Sequence, residues 1–560
     1  MVLSRIKAAK VLSGLRNFVQ KSGIALGSNR NMKIMSFKPG HDGTIAALDV
    51  SAAELICSYE AEKDSFPRYS TINPMTILEA AGRLDAIPDI IAVGGWETGF
   101  RHDPVGYSGI AQGSDVVGER MIFGRKVHFY SSTHERSHIW GSYGMSPFPT
   151  GMPCYVLIWE GWFGDFYEID EYLQVVHRGK VMAKPGDKYA FLYALADPKF
   201  ILPKGPPRIE DAGKVMALCA YGQTGSSDRD EQGLIDFLLP SDQSPLSKED
   251  LRNSPYYNIG VTHQKFTNLA KRVSDAIFDS FHTFAKKNLT KGFPLLIAGG
   301  CGLNCEWNRR WVETNLFSDV FIPPCTNDTG SAIGSAVDAM RHFTGNAKIK
   351  WNVYSGQPFI FDEIDRTGLE VHPLDYSEVA SALLGDKVIG WVQGNCEIGP
   401  RALGNRSILA APFSTATHER LNRIKNREGF RPIAPVCLEE DVALHFDLAR
   451  PSPYMLLFQK VLDSRLRAVT HVDGTARAQT VSQEQNPRLF QLLTSFKAKS
   501  GVGVLCNTSL NFNGTGFINR TSDLLAYARA AGLDGFVIND AFYLLKEAHL
   551  TPSSGQKKTA

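Results

Sequence analysis

Pro294-Leu295-Leu296-Ile297-Ala298 runs directly into Gly299-Gly300-Cys301-Gly302-Leu303-Asn304. An apolar run, a glycine-rich turn and a following helical pattern predict a strand, a tight turn and a helix. The unit recurs at once. A short strand at Val320–Ile322 leads into Pro323-Pro324-Cys325-Thr326-Asn327-Asp328-Thr329-Gly330, then a small-residue helix at Ala332–Met340. Two successive units of this kind predict an α/β nucleotide fold. The glycines would let backbone amides approach phosphates, and Asp328 could hold a metal or orient a hydroxyl. Two well-packed turns without a ligand are the plainer alternative.

Working outward, Lys33–Lys38 and Thr44–Leu48 read as strands around the polar turn Pro39-Gly40-His41-Asp42-Gly43. A third strand is expected at Glu54–Tyr59, a helix at Pro74–Arg83, and strands at Ile90–Gly94 and Arg125–Tyr130. Cys154–Trp159, Gly164–Ile169 and Leu173–His177 resemble a three-stranded meander. Asp211-Ala212-Gly213-Lys214 opens a helix whose N-terminus would attract anions, which makes Lys214 a candidate nucleotide contact. A long helical pattern covers Lys265–Lys287. The polar stretch from Asn346 to Glu370 reads as a linker or a peripheral excursion, placing one domain at 33–350, a linker at 351–370 and a second domain at 371–550. Strands are expected in the second at Val388–Val392, Ser407–Ala411, Val502–Cys506 and Gly535–Asn539. The sequence shows no internal repeat.

Two stretches carry chemistry. In Thr133-His134-Glu135-Arg136-Ser137-His138 the histidines stand four apart, so a helix puts both imidazoles on one face. His-Glu-x-x-His is also the zinc-protease spelling, with Glu135 as water-activating base and Glu160 as a third ligand. That reading leaves the glycine turns and the second domain unexplained. The other stretch is Glu397-Ile398-Gly399-Pro400-Arg401-Ala402-Leu403-Gly404-Asn405-Arg406-Ser407, followed by Lys425-Asn426-Arg427 and Phe430-Arg431-Pro432. Arginines embedded among Gly, Pro and aromatics suggest fixed forks aimed at an oxyanion rather than a solvated face. Asp473–Thr480 and Cys506-Asn507-Thr508-Ser509 add further polar clusters, the latter ending a strand.

Composition bounds the rest. The chain has 560 residues, 43% of them hydrophobic, and a formal net charge of +2, so nothing global argues for a nucleic-acid partner. The first 33 residues hold Arg5, Lys7, Lys10, Arg16, Lys21, Arg30 and Lys33 and no acid. They are expected to form a disordered basic tail (1–32), or to precede a true start at Met32. A basic amphipathic targeting helix is the other reading. Residues 551–560 are expected to be a second tail. No apolar run spans a bilayer, and the nine scattered cysteines fit a reduced, cytoplasmic setting.

The chain resembles the nodulation and antibiotic O-carbamoyltransferase family from about Lys33 to Lys546. The likeness rests on PGHDG, the spaced histidines, GGCGLN, NDTGSA and EIGPRALGNRS followed by FRPIAP. PGHDG, EKDSFPRYS and SSTHERSH resemble the 3-hydroxymethylcephem branch most. The resemblance implies a TsaD-like N-terminal domain of the actin/sugar-kinase (ASKHA) type and a YrdC-like second domain. It implies a reaction in which carbamoyl phosphate and Mg-bound ATP give carbamoyl-adenylate, and a small-molecule alcohol then takes the carbamoyl group. It assigns iron or another divalent ion to His134, His138 and Asp328, with Glu160 where the wider family has an aspartate. His41 would deprotonate the acceptor. Arg401, Lys425, Arg431, Arg477 and Ser509, with Asn507, would bind carbamoyl phosphate and the adenylate, and Gly299, Gly300, Gly302 and Asn304 would face the nucleotide. The acceptor could be an antibiotic alcohol or a nodulation oligosaccharide, its pocket built from loops such as 97–121, and the resemblance leaves room for a homodimer. A tRNA threonylcarbamoyladenosine enzyme shares both domain types, but near-neutral charge argues against a tRNA partner. A nucleotide-binding regulator on the same scaffold is the non-enzyme alternative.

Overall fold

The computed structural model describes residues 32–95, 116–201, 208–223, 225, 228–240, 247–447 and 450–546. In it, the unit around Gly299 completes a sheet whose strand order repeats that of the sheet before it.

The first sheet contains β1 (Lys33–Lys38), β2 (Thr44–Asp49), β3 (Glu54–Glu60), β4 (Ile90–Gly95), β5 (Val116–Ile122) and β6 (Arg125–Thr133). Its order is β3-β2-β1-β4-β6-β5. Three antiparallel strands come first; β4 then joins β1 in parallel and β6 joins β4, while β5 closes the edge antiparallel to β6. The second sheet contains β7 (Cys154–Trp159), β8 (Gly164–Ile169), β9 (Val175–Lys180), β10 (Leu295–Ala298) and β11 (Val320–Phe321). Its order, β9-β8-β7-β10-β11, is again a meander followed by two parallel strands. This doubling is the architecture of the actin/sugar-kinase type. Every residue of β7 and β10 is buried, as expected of parallel strands covered on both faces.

Helices α1 (Pro74–Gly82), α2 (His134–Met145), α3 (Pro185–Ala196), α4 (Gln264–Asn288), α5 (Cys305–Glu313) and α6 (Ser331–Thr344) cover these sheets. Helix α4 buries Phe266, Leu269, Ala270, Val273, Ile277, Phe281 and Ala285, the stripe its periodicity predicts. Trp159 stacks on Trp307 with ring centroids 4.5 Å apart. Between the sheets, α2 and α6 cross at Gly141 and Gly334, where a Cβ on Gly334 would overlap the Ser137 carbonyl.

The second region forms one sheet from β12 (Leu369–Pro373), β13 (Ile389–Val392), β14 (Arg406–Ala410), β15 (Ala434–Leu438), β18 (Gln479–Val481), β19 (Val504–Ser509), β20 (Gly535–Ile538) and β21 (Ala541–Leu545). The order is β12-β21-β20-β13-β14-β19-β15-β18, and β16 (Gln459–Lys460) with β17 (Thr475–Ala476) makes a separate ribbon. Leu383, Leu492 and Phe496 pack on one face, Leu421, Leu524 and Ala528 on the other.

One expectation is adjusted. The third meander strand starts at Val175 rather than Leu173, because Asp170 accepts from the amides of Tyr172 and Gln174 and Leu173 takes a left-handed φ of 60°. The stretch after Asn346 is packed: Trp351 Nε1 donates to the Met145 carbonyl at 2.9 Å and Gln357 Nε2 to the Glu60 carbonyl at 2.7 Å. No helix among the described residues is long and apolar enough to cross a membrane. Of the loop expected to build the acceptor pocket, 97–115 lie outside the described residues, as do the tails 1–31 and 547–560.

Candidate metal centre and anion site

Strand β6 ends at Thr133, whose hydroxyl accepts from the Arg136 amide at 3.1 Å and so starts α2 with His134 in its first turn. Helix α2 is buried on nearly every side, and Arg136 alone leans outward, forked onto the buried Asp338 at 2.8 and 2.9 Å. Four residues on, His138 shares the inner face. Glu160 follows the last residue of β7, in a turn closed by its amide donating to the Phe163 carbonyl at 2.9 Å. Asp328 comes from the turn after β11, held tight because a Cβ on Gly330 would overlap the Cys325 carbonyl.

These four side chains converge. Their ligand atoms lie within 4.8 Å of one another, and all four residues are buried. His134 Nε2 is 3.1 Å from both Glu160 oxygens; His138 Nε2 is 3.2 Å from Glu160 Oε2 and 3.3 Å from Asp328 Oδ1. His138 Nε2 and Asp328 Oδ2 are buried without an aligned hydrogen bond, which is how an ion ligand is left when only protein is counted. Two imidazole nitrogens with two carboxylates suit a divalent transition metal. Burial opposes charging His138, but Asp328 and Glu160 outweigh it and push its pKa up to about 10. Glu160 is likewise held down at about 2 against burial by His134 and His138. The two carboxylates thus favour positive charge on His138.

Glu135 is elsewhere. Its carboxylate accepts from the Tyr167 hydroxyl of β8 at 2.6 Å, and it is not among the four converging residues. The protease reading therefore loses its base.

The β1–β2 turn supplies the next layer. His41 Nε2 stands 3.6 Å from Asp328 Oδ2, and His41 Nδ1 is 3.0 Å from Asp42 Oδ2. Burial lowers the His41 pKa, yet the hydrogen bond to Asp42 and the charge of Asp328 leave it raised. Lys38, at the end of β1 and buried, places Nζ 3.4 Å from Asp328 and donates to the His41 carbonyl at 2.7 Å. Lys38 was not singled out by sequence, because a lysine at a strand end usually faces water.

The glycine turn adjoins this centre. Gly299 has a φ of 95°, and a Cβ there would press on the Trp159 carbonyl at 2.5 Å. Gly302 packs on Thr326, whereas a Cβ on Gly300 would meet only open space. Asn304 caps α5 through the amides of Glu306 and Trp307, while its buried Nδ2 has no hydrogen bond.

On the second sheet, Glu397 organises the arginine loop. One oxygen accepts from the amides of Leu403, Asn405 and Arg406 at 2.7, 2.8 and 3.1 Å. Arg406 is a structural residue: fully buried, it donates to the carbonyls of Gln393, Gly394 and Asn405 and to Asn519 Oδ1. Arg401 points the other way and donates from Nη2 to the Leu303 carbonyl at 2.7 Å, joining the two regions at the GGCGLN turn. Lys425 Nζ donates to the Ser509 carbonyl at 2.6 Å and to Asn511. Asn507 is buried, donating to Gln479 Oε1 at 2.9 Å. Lys214 pairs with Asp211 at 3.0 Å and, across the regions, with Glu428 at 3.4 Å, beside Arg431.

The cations crowd. Burial, then the charges of Arg477 and Arg431, pull Arg401 down to about 9. Burial with Arg431 and Arg477 does the same to Arg427. Lys425 is depressed far below its usual value by burial, Arg427, Arg68 and Arg431. Arg401 Nε and Arg477 Nε are buried without a hydrogen bond. So many cations, half-buried around the buried Lys425 and repelling one another, suit an anion.

A two-sheet actin/sugar-kinase domain with a buried His₂/carboxylate₂ cluster, apposed to a cation-lined sheet, defines an enzyme of group transfer. The chain matches the carbamoyltransferase N-terminus family over residues 113–337 and the carbamoyltransferase C-terminus family over 380–545, and it belongs to the carbamoyltransferases. It is 47% identical to the 3'-hydroxymethylcephem-O-carbamoyltransferase of Amycolatopsis lactamdurans over 519 residues, covering 91% of this chain and 99% of that one. The enzyme of the same name from Streptomyces clavuligerus is also 47% identical, over 91% of this chain and 99% of its own. Nodulation protein U of Bradyrhizobium diazoefficiens is 32% identical over 87% of this chain and 93% of its own.

Proposed function

We propose that this carbamoyltransferase activates its carbamoyl donor as carbamoyl-adenylate, made from carbamoyl phosphate and Mg-bound ATP, and passes the group to the hydroxyl of a hydroxymethyl cephem. Forming the adenylate consumes one water and releases phosphate and pyrophosphate; transfer to the alcohol releases AMP. The observation that carries the reading is the crowd of cations at Arg401, Lys425, Arg427, Arg431 and Arg477, with Lys425 buried and the arginines half-buried, joined through Arg401 to the turn expected to face a nucleotide. The extent of identity with the two cephem enzymes favours that acceptor over a nodulation oligosaccharide.

Arg401, Arg431 and Arg477 would hold the phosphates, with Lys425 fixed to the Ser509 carbonyl beside them. The glycine turn would take the nucleotide, with Lys214 at its margin through Glu428. His134, His138, Glu160 and Asp328 would hold a divalent ion, iron among the candidates, which when bound supplies positive charge to offset charge developing on the acyl-adenylate. His41, oriented by Asp42, would take the proton of the acceptor hydroxyl.

The test is incubation with carbamoyl phosphate, ATP and a panel containing a hydroxymethyl cephem, an aminoglycoside and a lipo-oligosaccharide. Mass spectrometry should show one added carbamoyl group on the cephem and equimolar AMP. No AMP in the presence of all three substrates would sink the mechanism; carbamoylation of another acceptor alone would sink the cephem assignment. Arg431→Ala should abolish AMP formation, whereas His41→Ala should slow transfer more than adenylate formation.

A further inference from the structure

Arg401, Lys425, Arg427, Arg431 and Arg477 all come from loops of the second region, yet one more guanidinium, that of Arg68, is brought beside those loops from the first. Residues Glu60–Tyr69 leave β3 and run along the second region as a strap. Ser65 N donates to the Phe517 carbonyl at 3.0 Å, Gly516 N to the Phe66 carbonyl at 2.9 Å, and Arg68 N to the Gly514 carbonyl at 3.0 Å. Pro67 pairs with Thr515 as an antiparallel bridge, and Asp64 forms an ion pair with Arg520. Lys63 Nζ, over the Phe517 ring at 3.7 Å, donates to the Gly399 carbonyl at 2.8 Å, two residues before Arg401.

The strap therefore touches both loops that shape the cation cluster. A continuous set of bonds leads to Arg68 from the lysine side. Lys425 Nζ donates to Asn511 Oδ1 at 2.6 Å, Asn511 Nδ2 donates to the Thr515 carbonyl at 2.9 Å, and Thr515 is the bridge partner of Pro67. Arg68 itself is aimed by Glu62, whose buried carboxylate lies 3.0 Å from Nε and accepts from the Tyr69 amide at 3.2 Å. Arg68 Nε is buried without an aligned hydrogen bond, so Glu62 holds it as an ion pair, and the side chain is two-thirds covered.

We propose that Arg68 is a binding residue for the phosphate of carbamoyl phosphate and of the adenylate, contributed across the domain boundary so that the anion site is complete only with the strap in place. This rests on the function proposed above. Arg68 also lies on the way from one half of the reaction to the other. Its charge depresses both Arg401 and Lys425, and it senses the charge of Asp42, the partner of His41. Glu62 would act through Arg68 as a positioning residue.

The experiment measures carbamoyl phosphate binding to the full-length protein without ATP by calorimetry, then AMP formation with ATP, for Arg68→Ala and Arg68→Lys. Thermal melting controls for folding. Arg68→Ala should weaken binding and raise KM for carbamoyl phosphate by about 10- to 100-fold with KM for ATP much less changed, as loss of one charged hydrogen-bond pair predicts. Arg68→Lys should recover part of both. Unchanged binding and KM in Arg68→Ala, with wild-type turnover intact, would overturn the inference while leaving the proposed reaction standing. Conversely, Arg68-dependent binding in a wild-type protein that forms no AMP would support the inference and refute the reaction.

Discussion

Single side chains decide the proton traffic. For His41 to take a proton it must be neutral, and the hydrogen bond to Asp42 raises its pKa against the pull of burial. Asp42→Asn removes that support, so the acid limb of the transfer rate against pH should move to lower pH, with the plateau reduced by about tenfold as orientation is lost. Product formation followed from acid to alkaline pH checks this, and an unmoved limb would exclude His41 as the base. The metal cluster gives a second expectation. In the ion-free protein His138 holds its proton up to about pH 10 while Glu160 is already ionised, so a divalent ion entering at neutral pH must expel the His138 proton. Affinity for Fe²⁺, Mn²⁺ or Zn²⁺ should then rise about tenfold per pH unit across the neutral range, one proton leaving per ion. Calorimetry in buffers of different ionisation enthalpy counts that proton, and a count of zero would contradict the assignment. The spacing of His134 and His138 was readable in the sequence because a helix turn converts it directly into geometry. Arg68 was not readable, since nothing in Ser65-Phe66-Pro67-Arg68 says which distant loop it meets.

At the scale of elements, the close crossing of α2 and α6 fixes where the histidines point relative to the turn that supplies Asp328. Gly141 and Gly334 let the two backbones meet: a Cβ on Gly334 would overlap the Ser137 carbonyl and approach the Gly141 amide at 3.0 Å. Gly334→Ala should destabilise the protein by about 1–3 kcal/mol through overpacking and weaken metal binding together with it, because the helices must part. Denaturant unfolding and metal titration of the same variant read both, and full stability would mean the crossing has slack. Most strands were legible, their apolar runs bounded by glycine, proline or polar turns, as with β1, β2, β7 and β10. The misplaced start of β9 came from Asp170, whose side chain competes for local amides and prolongs the turn. Arg406 and Arg401 look alike in sequence, and only the loop built around Glu397 sends one into carbonyls of its own region and the other to the Leu303 carbonyl of the glycine turn.

At the scale of the molecule, the family resemblance implied the doubled sheet, whereas residue patterns alone did not, because strand order is repeated without an internal sequence repeat. What unites the halves is equally non-local. Glu60 and Lys63, their side chains each 1% exposed and 3.3 Å apart, grip one residue of the arginine loop from both sides: Glu60 accepts from the Gly399 amide at 2.5 Å and Lys63 donates to the Gly399 carbonyl at 2.8 Å. Lys63→Met would strand the buried carboxylate, at a cost of about 3–5 kcal/mol. The cost must depend on pH. Burial already raises the Glu60 pKa even with Lys63 opposing it, and removing the ammonium raises it further. A carboxyl whose folded pKa exceeds its unfolded value binds more protons in the native state, so stability falls as pH climbs from the unfolded value toward the folded one. The loss caused by Lys63→Met should therefore be smaller near pH 5 than near pH 8, and Glu60→Gln/Lys63→Met should recover most of it at the higher pH because no charge is left buried. Urea unfolding at both pH values separates the outcomes. An equal loss at both, unrelieved by the second substitution, would mean that Lys63 acts through its contact with Phe517 rather than through Glu60.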